Sequence, residues 1–170
     1  MQKKLISFLT AAGLALVVAL PVQALGVGDK APSFTATTMD GEAVDLVELI
    51  GHKPIYLKFW ATWCRYCINE LPHAQHIYDE YGEAITVLAI NVGINDSRKA
   101  IREVYEEARV TVPTVFDEGS AITSQYKVIG TPNHVVIGRD GTITFRSFLA
   151  SDELDQALLE AFNEAAGEKL

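Results

Sequence analysis

The chain has 170 residues, 49% of them hydrophobic, and a net charge of −8 at pH 7. This size and apolar content suit one folded domain with a sizeable core and argue against intrinsic disorder. The acidic balance argues against binding to nucleic acid and against a basic surface for anionic lipid. We interpret the charge as a means of keeping the protein soluble.

Residues 1–24 have the pattern of a secretory signal peptide. Lys3 and Lys4 precede a mostly apolar run that ends at a proline, and we expect cleavage after Ala24. The run is a little short for a membrane span, although an uncleaved N-terminal anchor is the alternative. The sequence therefore predicts an exported, periplasmic protein whose mature chain, 25–170, forms a single domain.

The mature chain begins with short elements. Residues 33–37 and 42–45 are expected to be extended on either side of a turn. A short helix over 46–50 has Asp45 as its N-cap. The next segment, 54–60, is rich in β-branched and aromatic residues, which predicts a buried strand.

The only two cysteines, Cys64 and Cys67, follow that strand. Apolar residues then recur at helical spacing and predict a helix over 65–81, kinked where Pro72 removes a hydrogen bond. Cys64 thus lies at a helix N-terminus, where the partial positive charge stabilises a thiolate, and Arg65 adds a full positive charge. We expect Cys64 to be an exposed nucleophile and Cys67 to be a resolving thiol turned further inward.

Three other interpretations of the cysteine pair remain open. A structural disulfide over so short a loop would remove little unfolded-state entropy, about 2 kcal/mol. Half of a zinc site would need two more ligands, and His73 and His76 follow too closely to supply them, so we expect surface histidines and no metal. Two inert core cysteines would not explain the strand-to-helix position. We therefore favour a redox-active dithiol.

The rest of the chain alternates strands and helices. We predict strands over 84–91, 114–117, 133–138 and 142–148 and helices over 98–108, 120–126 and 151–165, with Asp96 or Ser97 capping the first of these helices. The turn between the last two strands makes them a hairpin. This order predicts an α/β layered fold with a mixed sheet.

Several motifs carry a resemblance to a known family. The chain resembles the extracytoplasmic TlpA-like thiol-disulfide oxidoreductases of the thioredoxin-like superfamily, the group that includes the reductases of cytochrome c maturation. The resemblance implies a thioredoxin fold: a central mixed sheet flanked by helices, with an N-terminal β extension and an inserted α/β element. The matching segments are Gly28-Asp29-Lys30-Ala31-Pro32-Ser33-Phe34, Asp40-Gly41, Phe59-Trp60-Ala61-Thr62-Trp63-Cys64, Glu70-Leu71-Pro72, Gly130-Thr131-Pro132 and Asp140-Gly141.

The resemblance also implies roles for individual residues. Cys64 would attack a substrate disulfide, and Cys67 would resolve the mixed disulfide. Pro132 matches the family's cis-proline, which would let the Thr131 backbone pair with an extended substrate segment; an ordinary loop turn is the alternative. Glu70 matches an acidic residue thought to tune the thiol pKa and to move protons, unless it lies on a solvated helix face.

Other residues near the cysteines depart from the family or have an open role. Trp63, Arg65 and Tyr66 are expected to contact substrate, and Tyr66 stands where the family usually has proline. Lys58 replaces a usual amide or acid, and it either favours a nearby thiolate or reaches solvent at the strand end. His134 is expected close to the active face. If Arg65 and Lys58 both act on the cysteines, the protein becomes more oxidising.

The functional prediction is an enzyme that reduces disulfides in exported proteins and uses no cofactor beyond its Cys64–Cys67 disulfide. The resemblance implies re-reduction by a membrane thiol-disulfide electron donor, and we expect a monomer. The nearest alternative is a periplasmic disulfide oxidant or isomerase. Copper handling is less favoured because the cysteine spacing is short, and a peroxidase is less favoured because no separate peroxidatic cysteine motif is present.

Overall fold

The structure is a computed structural model that describes residues 25–167, so the predicted signal segment and its cleavage site lie outside the described residues. In chain order the elements are β1 (Thr35–Thr37), β2 (Ala43–Asp45), α1 (Leu46–Leu49), β3 (Ile55–Trp60), α2 (Arg65–Asn69), α3 (Leu71–Tyr81), β4 (Thr86–Asn91), α4 (Arg98–Ala108), β5 (Thr114–Phe116), α5 (Ala121–Gln125), β6 (Asn133–Ile137), β7 (Ile143–Ser147) and α6 (Asp152–Ala166).

Five strands form the central sheet, in the order β5-β4-β3-β6-β7. β3 pairs in parallel with β4, and β4 with β5, whereas β6 runs antiparallel to both β3 and β7. Every residue of β3 and β6 is buried, because these strands lie inside the sheet with layers on both faces. This arrangement explains why the sequence of β3 is nearly continuous in apolar residues.

Short N-terminal segments cover the two edges of this sheet, which are the outer strands β5 and β7. β1 and β2 pair antiparallel, and a bridge from Thr38 to Val115 attaches their hairpin to β5. On the opposite side, the Gly28 N–H donates to Ile143 O, and the Ile143 N–H donates to Asp29 O. These contacts limit the unpaired edge that each outer strand would otherwise present to another chain.

Helices α3 and α6 pack side by side on one face of the sheet. His73 of α3 lies 2.8 Å from Asp155 of α6, and the rings of Tyr81 and Phe162 lie 5.2 Å apart. None of the helices between residues 25 and 167 combines the length and the apolar character needed to cross a bilayer.

The predicted helix over 65–81 is divided into two, which corrects the expectation of a single kinked helix. The break lies at Glu70, two residues before Pro72, which occupies the first turn of α3. Proline fits there because the first turn of a helix needs no N–H donor. The Glu70 N–H instead closes the end of α2 on the carbonyl groups of Ile68 and Tyr66.

Two predicted helix N-caps lie at the starts of α1 and α4. Asp45 caps α1, accepting from the Val47 N–H at 2.8 Å. Ser97, rather than Asp96, caps α4 through the Ala100 N–H at 3.1 Å, so the Asp96 carboxylate binds elsewhere. The predicted α/β fold with a central mixed sheet and an N-terminal β extension is confirmed. The additional α/β element consists of β5 and α5.

Candidate functional site

A disulfide joins Cys64 and Cys67 at the start of α2, with Cα atoms 5.2 Å apart. Cys64 is the N-cap residue, and its sulfur accepts a hydrogen bond from the Cys67 N–H at 3.2 Å. Cys67 is fully buried, as expected, but Cys64 is only 7% exposed, which corrects the expectation of an exposed sulfur. In this oxidised state the Cys64 sulfur is bonded to the fully buried Cys67.

Sheet pairing brings the Thr131-Pro132 segment to the same end of the sheet as the cysteines. Phe59, near the end of β3, is paired with Asn133 at the start of the antiparallel strand β6. The chain therefore enters β6 beside the point where it leaves β3 for the cysteine turn. The Thr131–Pro132 peptide bond is cis, with Pro132 buried and Thr131 partly exposed.

Three of the residues expected to contact substrate lie on the surface next to the disulfide. Trp63 is 56% exposed and Tyr66 is 66% exposed, and Arg65 between the cysteines is also exposed. The Trp63 indole N–H donates to the Ile94 carbonyl at 2.7 Å, which holds the ring against the loop after β4. The sequence did not predict this contact.

Beneath α2, Lys58 and Glu70 form an ion pair. Lys58 Nζ lies 2.6 Å from Glu70 Oε2, with side-chain exposures of 1% and 14%. The other oxygen, Oε1, accepts from the Ala150 N–H at 2.9 Å. Glu70 therefore does not lie on a solvated helix face, and Lys58 does not reach solvent. Lys58 is buried, but its partner is a carboxylate rather than a thiolate.

His134 extends this group into the core. The register pairs it with Lys58, and Tyr56 Oη lies 2.7 Å from its Nδ1. Its Nε2 lies 3.2 Å from Glu70 Oε2, close enough for attraction but not aligned as a hydrogen bond. With Glu70 ionised we assign the proton to Nε2, so that the Tyr56 hydroxyl donates to Nδ1. His134 is therefore fully buried and contacts Glu70, the residue that follows α2.

The electrostatics of the group follow from burial and pairing. Burial alone would raise the pKa of Glu70, but its contacts with His134, Lys58 and Ala150 outweigh this and lower it to about 2. Burial lowers the pKa of Lys58 and of His134, and their contacts with Glu70 oppose both shifts. Because the Lys58 charge is paired, its effect on the cysteines is largely offset by Glu70.

Sequence reasoning missed two residues of this region. Tyr56 reads as an ordinary apolar position in a strand, and nothing local indicates its bond to a histidine 78 residues away. Asp96 reads as a helix cap, but its carboxylate accepts from both the N–H and the hydroxyl of Thr62, each at 2.8 Å. Both contacts join distant parts of the chain, so no sequence spacing could have revealed them.

Comparison with known proteins gives the family. The AhpC/TSA family model matches residues 27–146, which include both cysteines and the cis peptide bond. This chain belongs to the AhpC/TSA family. Its thioredoxin-like character, drawn above from the motifs, is thereby confirmed.

Individual AhpC/TSA relatives and solved structures agree. The thiol-disulfide oxidoreductase ResA of Bacillus cereus is 29% identical over 118 residues, 69% of this chain and 66% of the relative, so the match spans about two thirds of its length. A structure from Bacteroides thetaiotaomicron, provisionally assigned as a protein disulfide isomerase, superposes with a TM-score of 0.74 at 28% identity, covering 86% of this chain and 96% of the other. A structure from Chlorobium tepidum, provisionally assigned as the thiol:disulfide interchange protein DsbE, has a TM-score of 0.72 at 26% identity, covering 81% and 99%. The predicted thioredoxin fold is confirmed.

Two histidines of this protein, His73 and His76, lie outside the site. His73 lies 2.8 Å from Asp155, and His76 lies 3.0 Å from Glu80 on the helix surface. Within residues 25–167, no three His, Cys, Asp or Glu side chains lie close enough together to hold a metal ion. The group in this site that is suited to chemistry is the disulfide, which can exchange two electrons with another dithiol.

Proposed function

We propose that this protein is a thiol-disulfide oxidoreductase that reduces disulfides in exported proteins, of the kind that act in cytochrome c maturation. One observation carries the proposal: the Cys64–Cys67 disulfide lies at the N-terminus of α2, where Cys64 is the cap residue. The cap position stabilises a thiolate on reduction. The similarity to ResA, named as a thiol-disulfide oxidoreductase, supports the same reaction class.

The reaction proceeds by two exchanges at sulfur. The Cys64 thiolate attacks one sulfur of the substrate disulfide, and the other substrate sulfur leaves as a thiolate that takes a proton from water. Cys67, once deprotonated, attacks the Cys64 sulfur of the mixed disulfide and displaces the second substrate thiolate. Two electrons have passed to the substrate, and the protein is left with the Cys64–Cys67 disulfide. The reaction requires no cofactor beyond this disulfide.

Substrate contacts follow from the surface next to the sulfurs. The Thr131 backbone, held by the cis bond to Pro132, is available to pair with an extended substrate segment in β fashion. Trp63 precedes the first cysteine, and Arg65 and Tyr66 lie between the two. These three side chains contact the residues on either side of the substrate disulfide. Substrates are therefore proteins whose disulfide lies in an accessible, extended segment.

The proposal extends to the setting in which the protein works. Residues 1–24 direct export to the periplasm and are removed after Ala24, with an uncleaved anchor as the alternative, and 25–170 form one domain that works as a monomer. A membrane thiol-disulfide donor returns the disulfide to the dithiol. Mass spectrometry of the exported protein tests the first part, because an intact Met1 would overturn the cleavage.

Insulin reduction tests the central claim. The protein, with dithiothreitol as donor, should accelerate insulin reduction, and Cys64→Ser should abolish the acceleration. Cys67→Ser should instead trap mixed disulfides with its substrates, because the resolving thiol is gone. Full activity in the Cys64→Ser variant would overturn the proposal, and the trapped partners would identify the physiological substrate.

The opposite direction, as a disulfide oxidant or isomerase, is the second candidate. The structural similarity to a protein provisionally assigned as a disulfide isomerase favours it. The reduction potential of the Cys64–Cys67 pair separates the two functions. A value near about −270 mV, as in thioredoxin, supports the reductant, and one near about −120 mV, as in DsbA, supports the oxidant.

A further inference from the structure

The carboxylate of Asp96 joins three segments of the chain at the cysteine turn. Its Oδ2 accepts from the Thr62 N–H and from Asn91 Nδ2, each at 2.8 Å. Its Oδ1 accepts from the Thr62 hydroxyl at 2.8 Å and from the Ser97 N–H at 2.9 Å. One side chain therefore ties the turn before Cys64 to the end of β4 and to the start of α4.

The four partners of Asp96 define what this position requires. Two are backbone N–H groups and one is a side-chain amide NH₂, and each of these three can only donate. A carboxylate offers about four acceptor sites on two oxygens, which matches four donors. An asparagine could keep the two bonds at Oδ2, but its NH₂ would then face the Ser97 N–H. The site is therefore built for an acceptor-only group.

The loop that carries Asp96 is itself fixed to the sheet. Asn91 is fully buried, and its Oδ1 accepts from the Gly93 N–H at 3.0 Å. Gly93 has a φ of +70°, and a Cβ there would overlap the carbonyl oxygen of Asp117. The Ser120 hydroxyl also donates to the Val92 carbonyl at 2.7 Å. Asp96 thus connects the cysteine turn to a rigid support rather than to a second loose loop.

A second contact joins the same two segments. The Trp63 indole N–H donates to Ile94 O at 2.7 Å, one residue after the turn position that Asp96 holds. Cys64 follows directly, and its own N–H donates to Ala61 O at 3.2 Å. The residues from Ala61 to Cys64 are therefore fixed on both sides immediately before the sulfur that caps α2.

We propose that Asp96 is a positioning residue for thiol-disulfide exchange, holding the turn at Thr62 so that the Cys64 sulfur stays at the N-terminus of α2. The inference rests on the proposed function, because it assigns Asp96 a role in that reaction. Asp96 does not touch the substrate or the sulfurs. It acts through Thr62, and without it the turn can move and the thiolate loses part of its stabilisation by the helix.

Asp96→Ala and Asp96→Asn form a matched pair for testing this role. Both remove the negative charge, so any direct effect of that charge on the thiol is the same in the two variants. Asp96→Asn retains the bonds at Oδ2, whereas Asp96→Ala loses all four. We expect the reduced Cys64 thiol to be alkylated about three- to tenfold more slowly at pH 7 in Asp96→Ala than in Asp96→Asn. The pH profile of alkylation should also show a higher thiol pKa in Asp96→Ala than in Asp96→Asn.

Thr62 gives a second pair in which the charge at position 96 never changes. Thr62→Val removes the hydrogen bond from the hydroxyl to Asp96, whereas Thr62→Ser keeps a hydroxyl that can donate to it. Thr123→Val is the structural control, because the Thr123 hydroxyl donates in the same way to Asp117, at 2.7 Å, beside α5. We expect Thr62→Val to slow alkylation about twofold or more, and Thr62→Ser and Thr123→Val to leave it unchanged.

These measurements remain informative if the proposed function fails. Alkylation of Cys64 and equilibration of the Cys64–Cys67 pair with glutathione need no protein substrate, whereas insulin reduction by the wild-type chain tests the function itself. Equal thiol pKa values and equal alkylation rates in Asp96→Ala and Asp96→Asn would overturn the positioning role. A Thr123→Val effect as large as that of Thr62→Val would also overturn it, because general loosening would then explain both.

Discussion

Two carboxylates lie next to the cysteine turn, and their partners are of opposite kinds. Glu70 contacts groups that carry or can carry positive charge, Lys58 and His134. Asp96 accepts only from neutral donors, which belong to Thr62, Asn91 and Ser97. In sequence, Glu70 follows the cysteines closely and matches a family motif, whereas Asp96 is only a candidate helix cap.

The difference in partners teaches how each carboxylate acts. Glu70 is part of a buried ion pair, so removing it leaves a buried lysine without compensation and changes the field at the cysteines. Asp96 has no cationic partner among the described residues, and its bonds fix the position of the turn. We therefore expect Glu70 to govern stability and charge, and Asp96 to govern geometry.

The largest effect is expected from Glu70→Ala. Removing one partner of a buried ion pair should lower the free energy of unfolding by about 3 kcal/mol, because Lys58 keeps its desolvation penalty without its partner. Guanidinium chloride denaturation measures the change. The double variant Lys58→Met/Glu70→Leu is the control and should recover much of the loss, since apolar side chains often replace a buried pair with little loss. An unchanged midpoint in Glu70→Ala would show that the pair contributes nothing.

The next effect concerns acid stability. The pKa of Glu70 falls from an ordinary 4.5 to about 2 on folding, so its stabilisation is complete above the unfolded value and disappears as pH drops toward 2. The unfolded state then binds more protons than the folded state, and stability rises with pH in that window. Denaturation of wild type and Glu70→Gln between pH 6 and pH 2 should show a steeper loss in wild type. Parallel curves would contradict the assigned ionisation.

Tyr56→Phe should have an intermediate effect. It leaves the buried Nδ1 of His134 without its partner, which should cost about 1–2 kcal/mol of unfolding free energy. Tyr126→Phe is the matched control, because the Tyr126 hydroxyl donates to Pro32 O at 2.9 Å, away from His134. NMR titration should show a changed pKa of His134 in Tyr56→Phe only. A similar change of the His134 pKa in both variants would show that the effect does not come from the contact between Tyr56 and His134.

The smallest effect is expected from Arg65→Gln, which tests an exposed charge against the buried pair. Unfolding free energy should change by about 0.5 kcal/mol or less, because the side chain is solvated. The alkylation rate of Cys64 should fall slightly at low salt and approach the wild-type rate at high salt, since exposed charges are screened. A large, salt-independent loss would mean that Arg65 makes a contact that the structure does not show.

Much of the fold could be predicted because its signals are local. The apolar run of β3 and the caps before α1 and α4 each involve neighbours along the chain, and these elements were found within a few residues of their predicted bounds. The division at Glu70 was missed because proline predicts a kink or a break equally well. The tight closure of α2 onto Tyr66 and Ile68 decided between them.

By itself the sequence determined the reactive pair and its setting. Two cysteines one helical turn apart, after a buried strand and before a helix, place a thiol at a helix N-terminus whatever the rest of the chain does. Tertiary structure alone decided how charge and position are controlled there. Lys58 meets His134 through strand register, Tyr56 bonds to that histidine across 78 residues, and Asp96 reaches Thr62 across 34. Such contacts exist only after the sheet has assembled, because no local rule links residues so far apart.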